Sequence, residues 1–159
     1  VGIESSGAHS NGYSLINKLI NESRLSKVKK EKMIKQALKP THLYVSVVLD
    51  LIKKVKIKSI ANITGGGLRE NIPRSIPKNL SAEIDLASWK MPNFFKELQT
   101  LGNLNIDDML KIFNCGIGMT LTINPKDLQK TQNIIGKHNF RSFVIGKVSN
   151  EPKIKINFI

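Results

Sequence analysis

The sequence contains one cysteine, Cys115, so no disulfide can form within the chain, and no Cys/His cluster has metal-ligand spacing. No apolar run approaches the roughly 18–20 residues of a membrane-spanning helix. The first residues, VGIESSGAHSNG, lack the basic and apolar segments of a secretory signal peptide. These absences argue against a disulfide-stabilised secreted protein, a membrane protein and a metal site built from such ligands, and they favour a cytoplasmic location.

Acidic residues are also scarce. The chain has 25 Lys and Arg against 12 Asp and Glu, a formal net charge of +13. A basic surface attracts phosphates whatever the base sequence, but only four of the basic residues are Arg, the side chain that forks onto phosphate and guanine. The lysines are scattered, with the densest group, KVKKEK, at 27–32. We therefore predict a solvated lysine surface and no nucleic-acid site.

The remaining composition is that of one globular domain. Hydrophobic residues make up 40% and charged residues 23% of the 159 residues, which are ordinary values. A chain of this length can bury roughly two thirds of its unfolded surface around one core. No internal repeat or linker divides residues 1–159, and strand-like and helix-like segments alternate. This pattern predicts an α/β fold in which helices pack on a mixed β-sheet.

Hydrophobic periodicity places the elements. Period-two alternation predicts strands in LSAEID (80–85) and in GIGMTLTIN (116–124), the latter with Ile117, Met119, Leu121 and Ile123 on one face. Helical spacing predicts a helix from about 12 to 23 that is capped by Ser10 or Asn11. Further strands are predicted at 1–4, 59–63, 142–148 and 153–158, and further helices at 29–39, at 43–52 packed on the core, directly after residue 67, at 94–101, at 105–113 and from 125 to 135.

Three consecutive glycines, Gly65, Gly66 and Gly67, stand in the stretch NITGGGLRENIPR. Glycine inside an element costs roughly 0.5–1 kcal/mol relative to alanine, so such a run requires a local reason. The run leads into a predicted helix, as does the loop SSGAHSNG at 5–12, and free N–H groups at a helix N-terminus bind anions, phosphate above all. A tight turn with nothing bound explains the glycines equally well, because the run matches neither GxGxxG nor the P-loop pattern.

Several polar residues near these loops allow two interpretations. His9 is either a general acid, base or phosphate donor, or a surface histidine. Asn71 and Asn114 either orient a ligand or form turns, and Arg69 and Arg74 either hold a phosphate or form surface salt bridges. Core positions are predicted for one cysteine and three aromatic residues: Cys115, Trp89, Phe94 and Phe95.

Four motifs follow one another along the chain: SSGAHSNGYSLI at 5–16, PTHLYV at 40–45, ITGGGLRENIPR at 63–74 and FNCGIGM at 113–119. Their order and approximate spacing resemble the C-terminal half of the phosphoribosylformylglycinamidine cyclo-ligase family, also called aminoimidazole ribonucleotide synthetase. FVIGKV at 143–148 is similar to that family's closing strand. The resemblance therefore covers almost the whole chain.

The resemblance implies an enzyme that uses ATP to activate the formyl-amide oxygen of formylglycinamidine ribonucleotide, after which an internal nitrogen closes the imidazole ring in purine synthesis. It implies two domains with the substrates between them and a homodimer formed mainly through the N-terminal domain. Residues 1–159 would be the C-terminal domain. ATP and Mg²⁺ would be held mainly by the N-terminal domain, which the sequence lacks, so we expect these residues alone to be inactive. The alternative is a stand-alone domain of the same superfamily that binds a phosphate or nucleotide ligand without catalysis.

The same resemblance transfers ligand-lining roles onto this sequence. His9 is expected to act directly, as a donor or proton carrier near the phosphorylated oxygen. The residues expected to line the substrate or phosphate are Ser10, Asn11, Gly65, Gly66, Gly67, Asn71, Asn114 and Gly116. The sequence departs from the family's usual residues at Ala8, Arg69 and Cys115, which leaves the glycines and the His-Ser-Asn triplet intact.

Overall fold

A computed structural model describes residues 1–150 and 156–159. Within these residues, strands and helices alternate as the sequence predicts, and the α/β class is confirmed. The helices are α1 (Tyr13–Glu22), α2 (Lys27–Ala37), α3 (Val45–Lys54), α4 (Gly67–Ser75), α5 (Asn93–Leu101), α6 (Ile106–Ile112) and α7 (Leu128–Lys137). The strands are β1 (Gly2–Glu4), β2 (Ser59–Asn62), β3 (Ser81–Ile84), β4 (Ile117–Thr122), β5 (Ser142–Phe143), β6 (Gly146–Ser149) and β7 (Ile156–Phe158). A 3₁₀ turn, Pro125–Asp127, precedes α7.

The strands form two sheets, whereas the sequence predicts one. The larger sheet has the order β2-β4-β1-β5 and is antiparallel throughout. The smaller has the order β6-β3-β7, with β3 antiparallel to β6 and parallel to β7. The predicted strand at 142–148 divides into β5 and β6, which belong to different sheets. Gly146 allows β6 to approach β3 closely, because a Cβ there would overlap the carbonyl oxygen of Glu83.

Two hydrophobic clusters stabilise the fold. One joins the larger sheet to α3 and α7 through buried side chains such as Ile3, Leu51 and Ile135. The other joins α1, α4, α5 and α6 to the smaller sheet and includes the predicted core residues, which are confirmed as buried: Cys115, Trp89, Phe94 and Phe95. Burying side chains of this kind contributes roughly 25 cal/mol for each Å² of apolar surface. The loops described below are therefore attached to a packed framework.

Two of the predicted core faces are wrong in part. In β4, Met119 and Leu121 pack in the cluster with α3, but Ile117 packs in the other. The β1–β4 register shifts opposite Ile117, between Ile3 and Glu4, so the alternation of faces breaks there.

The second partial error concerns α3 and its flanking residues. Val47 and Leu51 are fully buried as predicted, but Leu43 precedes the helix and is 81% exposed, and Ile52 is 53% exposed. The buried apolar stripe of α3 therefore includes fewer residues than the hydrophobic residues of 43–52 suggest. Residues 153–155 of the predicted last strand lie outside the described residues. Among the described residues, no helix combines the length and hydrophobicity that crossing a bilayer would require.

Candidate anion-binding site

The N-termini of α1 and α4 meet beside the C-terminal end of α6. A Cβ on Gly12, which caps α1, would overlap the ring of Phe113, and a Cβ on Gly67 would lie 2.8 Å from the carbonyl oxygen of Phe113. The heavy atom nearest to a Cβ on Gly65 is Asn11 Oδ1, at 4.0 Å. The loops 5–12 and 64–67 are therefore neighbours on one side of the molecule.

Neither helix has a side-chain cap. The cap residues are Gly12 and Gly66, with φ of 72° and 90°. The predicted Ser10 or Asn11 cap is wrong, because a capping side chain needs an extended backbone and Ser10 is itself left-handed, with φ of 63°. Asn11 instead donates to the carbonyl of His9.

The missing caps leave backbone donors free at both helices. Among the described residues, the N–H groups of Tyr13 and Ser14 in α1, and those of Leu68 and Arg69 in α4, have no hydrogen-bond acceptor. Such groups carry the positive end of the helix dipole. Because the loops 5–12 and 64–67 are neighbours, two sets of free donors lie on the same side of the molecule.

Different structural features explain why glycine occupies each of the three consecutive positions. Gly66 and Gly67 have positive φ, 90° and 56°, and Gly67 also packs against backbone of α6. The turn alone thus explains these two. Gly65 is outside the left-handed region, is exposed, and would have its Cβ in open space beside Asn11. Unobstructed approach of a ligand to the main chain would explain this third glycine.

Asn71 and Asn114 hold the loops in shape. Asn71 Nδ2 donates to the carbonyl oxygens of Thr64, Gly65 and Gly67, at 3.3, 3.1 and 2.7 Å. The structure therefore gives Asn71 the turn-forming role, with its amide directed to the loop itself.

The side chain of Asn114 is only 1% exposed and connects two loops. Its Oδ1 accepts from Ser5 Oγ and from the N–H of Gly116, both at 2.9 Å, and its Nδ2 donates to the carbonyl of Gly7 at 2.8 Å. Gly116 has φ of 104°, and a Cβ there would lie 2.6 Å from Pro92 Cδ. Asn114 and Gly116 thus fix the start of loop 5–12 against β4.

His9 is buried, so its interpretation as a surface histidine is wrong: the residue is 7% exposed. Its Nε2 accepts from the N–H of Ser6 at 3.0 Å, so the proton of the neutral ring is on Nδ1, which is buried without a partner among the described residues. Burial and the nearby His42 lower the pKa of His9 to about 4. At neutral pH His9 is therefore an uncharged N–H donor.

Three residues around His9 carry no individual assignment from the sequence: His42, Tyr44 and Gly118. The ring centroids of His42 and Tyr44 lie 6.0 and 5.9 Å from that of His9. A Cβ on Gly118 would lie 2.6 Å from His9 Cε1, so the ring rests directly on β4. The motifs PTHLYV and FNCGIGM contain these residues, but only the tertiary contacts show that they surround His9.

The two arginines near the glycine run form salt bridges, which confirms that interpretation. Arg69 pairs with Asp107 and lies 5.6 Å from the ring centroid of Phe158, and Arg74 pairs with Glu70. Among residues 1–150 and 156–159, no group of three or more His, Cys, Asp or Glu could hold a metal ion.

The lowered pKa of His9 predicts a pH-dependent stability. Between pH 6.5 and about 4 the unfolded chain binds a proton on His9 that the folded chain does not, so the stabilisation is complete above pH 6.5 and is lost as the pH falls. At about 1.4 kcal/mol for each unit of pKa shift, we expect this residue to lower the free energy of unfolding by about 3 kcal/mol as the pH falls from above 6.5 to about 4. Urea unfolding between pH 4 and 7.5 should show a flatter pH profile for His9→Gln.

His138→Gln provides the control for this prediction. His138 bonds Asp50 at the surface, where its side chain is 25% exposed. If His9→Gln retains the wild-type slope while His138→Gln loses it, the pH dependence does not come from the buried ring.

Two adjacent uncapped helix N-termini, brought together by glycine-rich loops on an α/β framework, are typical of a phosphate-binding domain. The family described as "AIR synthase related protein, C-terminal domain" matches residues 1–159, and the chain belongs to this family. It is 42% identical over 162 residues to the phosphoribosylformylglycinamidine cyclo-ligases of Staphylococcus aureus strains Newman and MSSA476. These matches cover 100% of this chain and 47% of each relative, so the chain spans about half the length of the curated relatives it matches. The resemblance in the four motifs is confirmed.

Proposed function

We propose that this chain forms one wall of the active-site cleft of a phosphoribosylformylglycinamidine cyclo-ligase, an ATP-dependent ligase of purine synthesis. The main support is the pairing of free amides at α1 and α4 around the open side of Gly65. The reaction would close the imidazole ring of formylglycinamidine ribonucleotide. The second half of the cleft would be the N-terminal domain that accounts for the remaining length of the relatives.

In this proposal the backbone binds the phosphate. The amides of α1 and α4 would donate to its oxygens, Gly65 would leave room for the ligand, and Gly66 would shape the turn that leads into α4. Ser10, which is exposed, and Asn11 would flank the phosphate from the other loop. Asn71, Asn114, Gly67 and Gly116 would hold the two loops at the correct separation through the contacts described above.

His9 is proposed to act as a neutral donor to the oxygen that becomes phosphorylated. A buried donor without a partner costs about 1–3 kcal/mol, which an acceptor on the substrate would offset. The pKa of about 4 makes donation from Nδ1–H more favourable than protonated-imidazole chemistry at neutral pH.

Mg²⁺ in nucleotide-using enzymes is bound through one or two carboxylates together with substrate phosphates, and the described residues contain no group of three or more His, Cys, Asp or Glu that could hold a metal ion by itself. We therefore propose that ATP and Mg²⁺ are held mainly by the N-terminal domain and that the 159 residues alone are inactive. The same domain would form most of a homodimer interface, and the enzyme would be cytoplasmic.

Binding of inorganic phosphate tests the proposed wall. In ¹⁵N-labelled protein, we expect phosphate to shift the amide signals of residues 10–15 and 64–70. Shifts spread over the lysine surface, or no shifts, would contradict the proposal.

Catalysis is tested by adding the N-terminal half of a Staphylococcus aureus relative. We expect no turnover of formylglycinamidine ribonucleotide with Mg-ATP until that half is present. Phosphate binding without turnover in the reconstituted protein would favour the alternative, a ligand-binding domain without catalysis.

A further inference from the structure

Loop 5–12 is anchored to the segment that precedes α3 by two side-chain hydroxyls. Tyr44 Oη donates to the carbonyl of Glu4 at 2.6 Å, where the loop begins. Ser6 Oγ donates to the carbonyl of Pro40, also at 2.6 Å. Pro40 and Tyr44 therefore hold Ser6, near the start of the loop, and Glu4, which immediately precedes it.

Tyr44 also forms part of the wall around His9. Its ring centroid lies 5.9 Å from that of His9, and both side chains rest on Gly118, where a Cβ would overlap Tyr44 Oη. Tyr44 is 6% exposed. Burial and the charge of Glu4 raise the pKa of Tyr44, so its hydroxyl stays protonated and remains a donor.

The loop needs such support because its backbone is strained. His9 and Ser10 have φ of 51° and 63°. A left-handed conformation costs non-glycine residues roughly 1–2 kcal/mol each, so the surrounding contacts must hold it. The hydroxyl of Tyr44 provides one such contact at the root, and its ring provides another at His9.

We propose that Tyr44 is a positioning residue of the anion-binding wall, which fixes the root of loop 5–12 and the ring of His9 so that the amides of α1 face those of α4. This inference rests on the proposed function, because it assigns Tyr44 a role in binding at that site. Tyr44 itself would not touch the ligand.

The experiment compares Tyr44→Phe with Thr131→Val, a change in α7 outside the proposed site. Each change removes one buried hydroxyl that donates to a backbone carbonyl, since Thr131 Oγ1 donates to Asp127 at 2.8 Å. Inorganic phosphate is titrated into each ¹⁵N-labelled protein. We expect Tyr44→Phe to weaken phosphate binding by about 5–10-fold and Thr131→Val by less than about twofold, as the loss of one hydrogen bond at the site implies.

The ¹⁵N signals of the His9 ring provide a readout that a general loss of stability would not change. Wild type and Thr131→Val should show one neutral tautomer, with the proton on Nδ1, and Tyr44→Phe should show a mixture of tautomers. Equal phosphate affinity and identical His9 spectra in the two variants would overturn the proposal.

The two possible failures are distinguishable. If wild type does not bind phosphate, the proposed function fails, and the His9 spectrum alone decides the role of Tyr44: an unchanged spectrum in Tyr44→Phe overturns it. Thermal melting checks that each variant folds. If Tyr44→Phe does not fold, Ser6→Ala, which removes the other hydroxyl anchor, is measured in the same way against the same expectations.

Discussion

Gly67→Ala is expected to destabilise the folded chain by about 4 kcal/mol. The alanine would have to adopt a left-handed backbone conformation, and its Cβ would overlap backbone atoms that are fixed in place. Gly67 has φ of 56°, and its Cβ would overlap the carbonyl of Leu110 and lie 2.8 Å from that of Phe113. Both carbonyls belong to the end of α6 and cannot move without unpacking the core. Urea unfolding of the variant measures the loss.

Gly65→Ala is the matched variant, two residues away in the same loop. Its Cβ meets only Asn11 Oδ1 at 4.0 Å, so we expect the free energy of unfolding to change by less than about 0.5 kcal/mol. Phosphate binding, however, should weaken by about tenfold, because the methyl group occupies the space proposed for the ligand. If Gly65→Ala binds phosphate as wild type does, the ligand does not approach the chain at this glycine.

The sequence predicts most of the elements because their hydrophobic periods are local. The alternation in LSAEID becomes β3, and the spacing of Phe94, Phe95 and Leu98 becomes the buried face of α5. The two-sheet arrangement is not predictable in this way. It depends on the crossing between β5 and β6 at residues 144–145, and no periodicity within 142–148 distinguishes one strand from two.

The motifs identify the loops that form the candidate site, but not the contacts that each residue makes in them. The uncapped N-terminus of α1 follows from backbone angles at Ser10 and Gly12, which composition does not reveal. His9 lies in a polar stretch yet is buried, because His42 and Tyr44, more than thirty residues away in sequence, cover it. The order of the motifs predicts which loops form the candidate site, whereas the burial and hydrogen bonding of each residue depend on tertiary contacts.

Asn114→Ala is the second change with a large expected effect. It removes three hydrogen bonds from a side chain that is 1% exposed, and it leaves the hydroxyl of Ser5 and the carbonyl of Gly7 without their partners. At roughly 0.5–1.5 kcal/mol for each bond, with a further penalty for buried groups left unpaired, we expect a loss of about 3 kcal/mol. Urea unfolding measures this loss against Asn133→Ala, an exposed asparagine on α7 that should change stability by less than about 0.5 kcal/mol.

Phosphate titration separates the role of Asn114 in the site from its role in stability. Asn114 connects residues 5 and 7 to residue 116 across more than a hundred positions of sequence, so its loss frees the start of loop 5–12. Well below the unfolding transition, the variant should bind phosphate at least about tenfold more weakly, because loop 5–12 must then be ordered when the ligand binds. A variant that is destabilised as expected but keeps wild-type phosphate affinity would show that the α1 amides are positioned without Asn114, through the remaining contacts of loop 5–12 and α1.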